Sequence, residues 1–479
     1  MHLDRAICER ALRARDARFD GRFFTAVMTT GIYCRPVCPA RMPQAKNVQF
    51  LPTAAACEAL GFRPCRRCRP ETAPGTPAWA GSSATVNRAL QLIQAGALDS
   101  SSVDDLAARL GVGSRHLRRL FKTHLGATPN ALARTRRTHF ARRLLDETDW
   151  PMTEISVAAG FGSLRQFNDT LQQTFKRTPS ELRRLRRETG AAAGEARLRL
   201  SYRAPLDFPD LLTFLTPRLL PGIETIREGR YLRAVTGGET PGWLEVEAIP
   251  GEAALRLRCI GVAPVRLAGI VERVRRMFDL AADPARVAED LSGDPRLAPA
   301  IAARPGLRVP GAFEPFEMAV RVVLGQQVSV KGATTLAGRL IRAAGKPLEG
   351  LPEGLDWAFP SPEALAGTDV AGIGMPGGRA RAVNALAEAV AEGRVRLDGE
   401  EDPDAVQETL CQLPGIGPWS AQVIAMRALG DPDVFPAGDL GLRKALGANG
   451  KLASERAASA RAEAWRPWRA YAALWLWTE

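Results

Sequence analysis

The chain has 479 residues, of which 46% are hydrophobic and 24% charged; this composition excludes a disordered chain and predicts three or four domains of about 100 to 200 residues each. The formal net charge of +13 favours an anionic partner such as nucleic acid, although an arginine-rich composition alone would give the same excess. The start MHLDRAICER lacks the apolar core of a secretory signal, and no apolar run is long enough to cross a bilayer. We therefore expect a cytoplasmic protein with no membrane partner, whose eight cysteines are reduced and available for metal or redox chemistry.

Two close cysteine pairs stand in the N-terminal part of the chain. Cys34 and Cys38 are spaced C-x3-C, and Cys65 and Cys68 are spaced C-x2-C. Such short spacings let one turn deliver two thiolates to the same ion, so the two pairs together predict a tetrahedral Zn2+ site. A purely structural zinc knot, or four incidental cysteines, would show the same spacing. The remaining cysteines stand alone and are predicted to be small core residues: Cys8, Cys57, Cys259 and Cys411.

The segments around these pairs resemble the N-terminal domain of the Ada protein, the regulator of the adaptive response to DNA methylation. The resemblance is carried by TGIYCRPVCPAR, the NVQF run and GFRPCRRCRP, and implies a domain at residues 1–72. It also implies that Cys34 takes a methyl group from a methyl phosphotriester of the DNA backbone, while Cys38, Cys65 and Cys68 remain zinc ligands. A zinc-bound cysteine is held as the nucleophilic thiolate, which suits this role.

Methyl transfer would change the charge of the predicted zinc site. Four thiolates on Zn2+ carry a formal charge of −2, and methylation of one of them leaves −1. The weaker negative charge repels DNA phosphates less, so the nearby arginines act on DNA with less opposition: Arg35, Arg63, Arg66, Arg67 and Arg69. The sequence thus predicts a stoichiometric and irreversible switch that raises DNA affinity after damage.

A helical middle part lies between two predicted linkers, residues 71–84 and 188–196. Residues 102–121 and 152–175 each predict a helix, a glycine turn and a second helix, which is the pattern of a helix-turn-helix. Ser102 is expected to cap the first of these helices. Two helical hairpins with basic, solvated faces are the alternative. The predicted DNA-contacting residues are Ser114, Arg115, His116, Arg118, Arg119, Arg165, Gln166 and Asn168.

The tandem pair resembles the AraC-type DNA-binding domain over residues 85–186. Its marks are the turn at Gly160–Phe161 and the downstream RTPSELRR. Ada proteins carry such a domain directly after the zinc module, and the order in this chain agrees. The resemblance implies transcription activation, with double-stranded DNA and RNA polymerase as partners.

The C-terminal part opens with strand-like alternation at 198–203 and 243–249 and has helical periodicity from about residue 263. Its sharpest motif is LPGIGPWSA, where Gly415 and Gly417 allow a hairpin whose outward backbone amides can bind DNA phosphates. A purely structural turn is the alternative. The later segment DVFPAGDLGLRKA places Asp439 near the start of the next helix, where it can serve at least as an N-cap.

This pairing of motifs resembles the helix-hairpin-helix DNA glycosylases, most closely the AlkA type of 3-methyladenine glycosylase. Further matches are RPGLRVPGAFEPFEMAVRVVLGQQVSV, GMPGGRARA and WRPWRAYAALWLW. The resemblance implies a β-rich subdomain at 198–282, a glycosylase domain at 283–479 and a catalytic Asp439. It also implies an aromatic pocket for a flipped, cationic base and a side chain that fills the gap in the DNA: Phe214, Trp419 and Trp477 for the pocket, and Gln327 for the wedge.

The sequence departs from the AlkA pattern at several positions. Gly438 replaces the acidic residue that is common before the catalytic aspartate, and Val423 replaces a pocket tyrosine. Gln327 stands where an apolar wedge is expected. Trp419 occupies the place of the lysine with which related enzymes form a Schiff base, which predicts a monofunctional enzyme that leaves an abasic site.

The sequence therefore predicts a multidomain α+β protein: a small zinc domain, an all-α double helix-turn-helix, and an AlkA-like glycosylase with a β-rich subdomain followed by an all-α helix-hairpin-helix domain. It predicts a sensor and activator fused to an alkylation-repair enzyme, acting as a monomer with Zn2+ as cofactor. The Pro-Cys-His-Arg motif of methylguanine methyltransferases is absent from the sequence, so repair of O6-methylguanine is not expected. The alternatives are a transcription regulator with a non-catalytic glycosylase-like domain and a structural zinc protein without a methyl acceptor.

Overall fold

The computed structural model describes residues 4–74, 84–185, 195–238, 240–448 and 451–478. The two predicted linkers lie mostly outside the described residues. The chain divides into two compact units. The first comprises Met1–Ala204, Val246–Arg275 and Leu280–Ala282, and the second comprises Pro205–Glu245, Arg276–Asp279 and Asp283–Glu479.

The N-terminal module of the first unit is a small four-stranded sheet with two helices. Its elements are α1 (Arg5–Ala14), β1 (Phe24–Val27), β2 (Ile32–Cys34), β3 (Val48–Leu51), α2 (Ala54–Ala59) and β4 (Arg63–Pro64). The strand order is β3-β1-β2-β4, with β1 antiparallel to β2 and β3, and β2 parallel to β4. Tyr33 is in register with Pro64, so the first cysteine of each pair leaves the sheet at the same edge.

The middle part of the chain is entirely helical in the described residues. Its helices are α3 (Ala84–Gln94), α4 (Ala97–Ser100), α5 (Val103–Arg109), α6 (Ser114–Leu125), α7 (Pro129–Glu147), α8 (Met152–Ala158), α9 (Leu164–Phe175) and α10 (Pro179–Arg184). Ser102 caps α5 in a full capping box, and Ser163 caps α9. Both predicted helix-turn-helix pairs, α5–α6 and α8–α9, are present, and α7 connects them.

Helix α7 packs against α2 of the N-terminal module, and a buried polar network joins the two helices. Glu58 accepts hydrogen bonds from Tyr33 Oη (2.8 Å) and Thr135 Oγ1 (2.5 Å), and its Oε1 lies 3.0 Å from His139 Nε2. Burial and the charge of Glu58 raise the pKa of Tyr33 well above its usual value, so its hydroxyl stays protonated and donates. The network therefore fixes β2, which ends at Cys34, against α7, the helix between the two helix-turn-helix pairs.

The ion pair of His139 and Glu58 makes this contact sensitive to pH. Burial is the largest single influence on His139 and opposes its charge, but the hydrogen bond and the negative charge of Glu58 together outweigh burial and raise the pKa of His139. Burial likewise opposes charge on Glu58, but His139 and the hydroxyl donors Thr135 and Tyr33 together lower the pKa of Glu58. The histidine contribution is complete below its ordinary pKa of 6.5 and is lost as the pH rises through the raised value. The glutamate contribution is complete above its ordinary pKa of 4.5 and is lost as the pH falls through the lowered value. The pair stabilises most between these two ordinary values.

We expect His139→Gln to lower the free energy of unfolding by about 1 to 3 kcal/mol near pH 6, because a charge-assisted hydrogen bond is lost. The difference between the parent and the variant should shrink as the solution becomes alkaline. Urea denaturation of both proteins across this pH range measures the effect, and His124→Gln, in α6, is the control. A difference that stays constant with pH would show that the ion pair does not form.

The β-rich part is a five-stranded sheet with one helix inserted in sequence. Its elements are β5 (Glu195–Ser201), α11 (Phe208–Leu215), β6 (Glu224–Arg227), β7 (Arg230–Val235), β8 (Gly242–Ala248) and β9 (Ala254–Ile260). The strand order is β5-β9-β8-β7-β6; β5 is antiparallel to β9 and β6 is antiparallel to β7. The strands expected at 198–203 and 243–249 correspond to β5 and β8.

Helices make up most of the rest of the chain. Their bounds are α12 (Leu267–Met277), α13 (Pro284–Leu291), α14 (Leu297–Ala303), α15 (Pro315–Leu324), α16 (Val330–Ala344), α17 (Pro362–Ala366), α18 (Gly377–Ala391), α19 (Pro403–Cys411), α20 (Pro418–Ile424), α21 (Leu440–Ala445), α22 (Glu455–Ala462) and α23 (Arg469–Trp477). A π-helical turn, Ala425–Leu429, continues α20, and β10 (Lys346–Pro347) pairs with β11 (Trp357–Ala358). Helices α15, α16, α18, α19 and α20 share one aliphatic core. The predicted multidomain α+β class is confirmed.

The isolated cysteines differ in their burial. Cys8, Cys57 and Cys259 are buried, as predicted, whereas Cys411 is exposed at the end of α19. The prediction for Cys411 is wrong because this position falls on the solvent face of the helix. In the described part of the chain, no helix is long and apolar enough to span a bilayer.

Candidate metal centre and candidate active site

Cys34, Cys38, Cys65 and Cys68 converge at the edge of the N-terminal sheet. Their sulfur atoms all lie within 4.8 Å of one another. Four sulfurs at about 2.3 Å from a tetrahedral Zn2+ would be about 3.8 Å apart, so the cluster fits a zinc ion with small adjustments. Cys38, Cys65 and Cys68 are 7–9% exposed and Cys34 is more exposed than any of them. Taken as whole residues, Cys34 is therefore the most exposed of the four cysteines.

Arg35, directly after Cys34, supports the cluster from within. Its backbone N–H donates to Cys68 Sγ at 3.4 Å, which draws electron density from that sulfur rather than from Cys34. Its guanidinium pairs with Asp20 and donates to Cys68 O at 3.1 Å and Thr72 Oγ1 at 2.9 Å. These contacts hold the turn of the first cysteine pair against the turn of the second.

The arginines around the cysteines do not all face solvent, which corrects the expectation that all five act on DNA. Arg35 is neutralised by Asp20, and Arg69 by Glu71 and Asp146. The charges of Arg35 and Arg69 are therefore paired with acidic side chains of the first unit. Arg66 and Arg67 are exposed, although Arg66 also donates to Phe175 O, at the end of α9, at 3.1 Å. Of the five arginines, only Arg66 and Arg67 are therefore exposed, whereas Arg63 is half-buried.

The predicted DNA-contacting side chains lie on the second helices of the two helix-turn-helix pairs, α6 and α9. Ser114 is half-buried. The other predicted contacts are exposed: Arg115, His116, Arg118, Arg119, Arg165, Gln166 and Asn168. The opposite faces of the same helices are buried, with Leu117 and Phe121 in α6 and Phe167 and Leu171 in α9. Each second helix thus presents a polar face that is available to a DNA groove.

Asp439 lies at the N-cap of α21, and its carboxylate receives hydrogen bonds from three directions. Oδ1 accepts from Leu442 N (3.1 Å) and from Trp477 Nε1 (2.8 Å). Oδ2 accepts from Trp419 Nε1 at 3.1 Å. The structure therefore brings three of the predicted site residues together, and the N-cap role coexists with this arrangement. Val423, where a pocket tyrosine was expected, packs against the aliphatic core.

Phe214 has different neighbours from the two tryptophans. The guanidinium carbons of Arg218 and Arg427 lie 3.8 Å and 5.3 Å from the centre of its ring. Burial, together with repulsion from Arg218 and Arg321, lowers the pKa of Arg427 to about 9. Among the described residues no ring contact joins Phe214 to Trp419 or Trp477. The ring already makes cation–π contacts with Arg218 and Arg427, and these arginines would compete with a cationic base for its π face.

Gln327 lies at the exposed turn between α15 and α16 in a left-handed conformation, with φ of 53°. The neighbouring Gln326 connects this turn to the glycine hairpin, because its Nε2 donates to Gly415 O and Ser420 Oγ, both at 2.9 Å. Arg379 in turn donates to Gln326 O. Val328 is 38% exposed beside Gln327. The predicted wedge and the predicted phosphate-binding hairpin are therefore adjacent.

Gly415 needs to be glycine at the tip of the hairpin. Its φ is 79°, and a Cβ atom would lie 2.9 Å from the Cβ of Ala382 in α18. Gly417 is the N-cap of α20 and is exposed. Sequence reasoning missed Gln326 and Arg379, although Gln326 lies within the LGQQVSV motif and Arg379 within GMPGGRARA.

Four family models match successive parts of the chain. They are the metal binding domain of Ada at residues 7–71, a helix-turn-helix domain at 106–185, the AlkA N-terminal domain at 197–314, and the HhH-GPD superfamily base excision DNA repair protein at 320–470. These matches and the geometry above define a protein that joins an Ada-type metal-binding module and a helix-turn-helix domain to a glycosylase of the HhH-GPD type.

Similar proteins contain these parts together or separately. The chain is 44% identical over 485 residues, 100% of its own length and 97% of the relative's, to the "Probable bifunctional transcriptional activator/DNA repair enzyme AlkA" of Mycobacterium tuberculosis (strain CDC 1551 / Oshkosh). It therefore belongs to this family of bifunctional AlkA proteins. Its C-terminal 58% is 36% identical to 95% of the "DNA-3-methyladenine glycosylase 2" of Escherichia coli K12. The match to the "Bifunctional transcriptional activator/DNA repair enzyme Ada" of the same organism has 35% identity, and it covers 36% of this chain and 46% of that protein.

A solved structure supports the fold of the C-terminal part. The 3-methyladenine DNA glycosylase from Archaeoglobus fulgidus aligns with a TM-score of 0.50 at 21% identity, and the alignment covers 58% of this chain and 96% of that one.

Proposed function

We propose that the chain is a bifunctional alkylation-response protein with the domains 1–72, 85–186, 198–282 and 283–479. Cys34 accepts a methyl group from a DNA methyl phosphotriester, and the helix-turn-helix domain then binds promoter DNA and activates transcription with RNA polymerase. The C-terminal part hydrolyses the N-glycosidic bond of alkylated bases such as 3-methyladenine.

The exposure of Cys34 relative to the other three cysteines carries the sensor half of this proposal. Zn2+, when bound by Cys34, Cys38, Cys65 and Cys68, keeps the sulfurs as thiolates. The Cys34 sulfur attacks the methyl carbon of the phosphotriester, the C–O bond breaks, and the phosphodiester anion leaves with the electron pair. The product is a neutral thioether, which explains why the transfer is expected to be stoichiometric.

The held carboxylate of Asp439 beside two indoles carries the enzyme half of this proposal. An alkylated purine leaves with the electron pair of its bond to C1′, and the sugar becomes oxocarbenium-like. A fixed carboxylate stabilises this positive charge, and water then adds to C1′ and loses a proton. Trp419 and Trp477 are half-buried residues, and their aromatic side chains suit a flipped base. Phe214 is better assigned to the cation–π contacts with its arginines.

Excision assays on dimethyl sulfate-treated DNA test the enzyme half. We expect release of 3-methyladenine and accumulation of intact abasic sites, because Trp419 cannot form the Schiff base that strand cleavage requires. No release would favour the alternative of a regulator with a non-catalytic glycosylase-like domain. Strand breaks formed together with base release would contradict the monofunctional assignment.

The exposed arginines of α6 and α9 predict how strongly the DNA-binding constant depends on salt concentration. The side chain of Arg165 is 92% exposed in α9, so Arg165→Ala should weaken DNA binding and reduce the slope of log K against log salt by about 0.9, the contribution of one phosphate contact. Fluorescence anisotropy with duplex DNA at several salt concentrations measures this slope. Arg13→Ala, an exposed arginine of α1, is the control. An unchanged slope would place Arg165 outside the DNA interface.

A further inference from the structure

The Asp439 carboxylate is held more firmly than an N-cap requires. One hydrogen bond, donated by Leu442 N to the Asp439 carboxylate, is enough to cap α21. Two further donors arrive from other helices, Trp419 Nε1 from α20 and Trp477 Nε1 from α23. The carboxylate is therefore fixed by groups on three separate helices, and the tryptophans contact it through their N–H edges rather than their faces.

The three donors leave a defined acceptor position. Each carboxylate oxygen has about two lone-pair sites. Toward the residues that the structure describes, Oδ1 uses both, for Leu442 N and Trp477 Nε1, whereas Oδ2 uses one, for Trp419 Nε1. The remaining lone pair of Oδ2 is thus the position that can face a substrate or a water molecule.

Gly441 gives an independent indication that this arrangement depends on space. A Cβ atom at residue 441 would lie 3.0 Å from Asp439 Oδ1, 3.2 Å from Trp477 Cδ1 and 3.5 Å from Trp477 Nε1. Gly441 is the second residue of α21, so its Cα lies directly beside the capping carboxylate of Asp439. A side chain at this position would press on the bond between Asp439 and Trp477.

We propose that Trp419 and Trp477 are positioning residues that aim the Asp439 carboxylate through their indole N–H groups, and that Gly441 leaves the space for them. This inference rests on the proposed glycosylase function. It assigns the two tryptophans a role that depends on the indole N–H, which is separate from stacking on a base. Removing the N–H while keeping an aromatic face should then lower the rate of bond cleavage and leave damaged-DNA binding nearly unchanged.

Single-turnover excision of 3-methyladenine from dimethyl sulfate-treated DNA tests this separation. Trp477→Phe should lower the maximal rate by about 10- to 100-fold, the effect of one charge-assisted hydrogen bond, with little change in the enzyme concentration that gives half the maximal rate. Gly441→Ala should change the rate in the same direction. Replacing Trp477 by β-(3-benzothienyl)alanine, which has sulfur in place of the N–H, removes the donor and preserves the ring area.

Trp475→Phe is the matched control. Trp475 lies on the same helix, but its Nε1 donates to Arg304 O at 3.2 Å, so its replacement should leave the rate unchanged. A benzothienyl variant with the parental rate, or one whose loss is entirely in binding, would overturn the proposal and leave stacking as the role of Trp477. If the parent protein released no base, the proposed function itself would fail, whereas a fully active Asp439→Asn would refute the catalytic role of Asp439.

Discussion

Asp439→Asn is expected to lower the rate of 3-methyladenine release by about 100- to 1000-fold, the usual effect of removing one electrostatic contact to a transition state. Asparagine keeps an oxygen that can accept from Leu442 N, so the cap of α21 survives. It loses the negative charge that stabilises the sugar, and its NH2 group must face an indole N–H, donor against donor. Release of base from dimethyl sulfate-treated DNA measures the effect.

Asp207→Asn is the control for this substitution. Asp207 caps α11 by accepting from Asp210 N at 2.9 Å, in the same way that Asp439 caps α21. An effect of N-capping alone would appear in both variants, whereas a catalytic role should appear only in Asp439→Asn. No base release by either protein would support a regulator with a non-catalytic glycosylase-like domain, whereas equal release by both would contradict the catalytic role of Asp439.

Features written in local sequence were predictable. The capping residue Ser102 and the turn glycines Gly111 and Gly160 are short-range signals, and both helix-turn-helix pairs follow them. The cysteine cluster was also predictable from the sequence, because the spacing within each pair restricts its two sulfurs to one turn. The order of the four family models reflects the same motifs.

Features that depend on distant partners were not predictable. The neutralisation of Arg69 requires Asp146, and the surroundings of Phe214 require Arg427, which is far away in sequence. The sequence also indicated that Trp477 belongs to the site, but not that its N–H edge rather than its face meets Asp439. Residue type and spacing define which groups are present, whereas tertiary packing decides which edge of a side chain is used.

Cys34→Ser is expected to abolish methyl acceptance and the rise in DNA affinity that follows it. A serine hydroxyl is not a thiolate, and the three remaining cysteines can still hold the metal. In the parent, loss of one negative charge should raise DNA affinity by about tenfold, since a unit charge about 10 Å from a phosphate contributes on the order of 1 to 2 kcal/mol at an effective dielectric constant near 20. Binding of duplex DNA before and after exposure to methylated DNA measures this rise.

Cys411→Ser is the matched control for the sensor. Cys411 is the exposed cysteine outside the cluster, so it separates simple accessibility from the chemistry of the four-sulfur site. This variant should accept a methyl group and gain DNA affinity as the parent does. Methyl acceptance by Cys34→Ser would mean that another cysteine is the acceptor.

The proposed function depends above all on Cys34 as the methyl acceptor of a chain that also excises alkylated bases. Peptide mass spectrometry of the full chain after incubation with methylated DNA locates the acceptor. We expect one added methyl group per protein, on Cys34, with Cys38, Cys65 and Cys68 unmodified. A methyl group on any other cysteine, or no methyl group at all while the cluster holds zinc, would refute the assignment of Cys34.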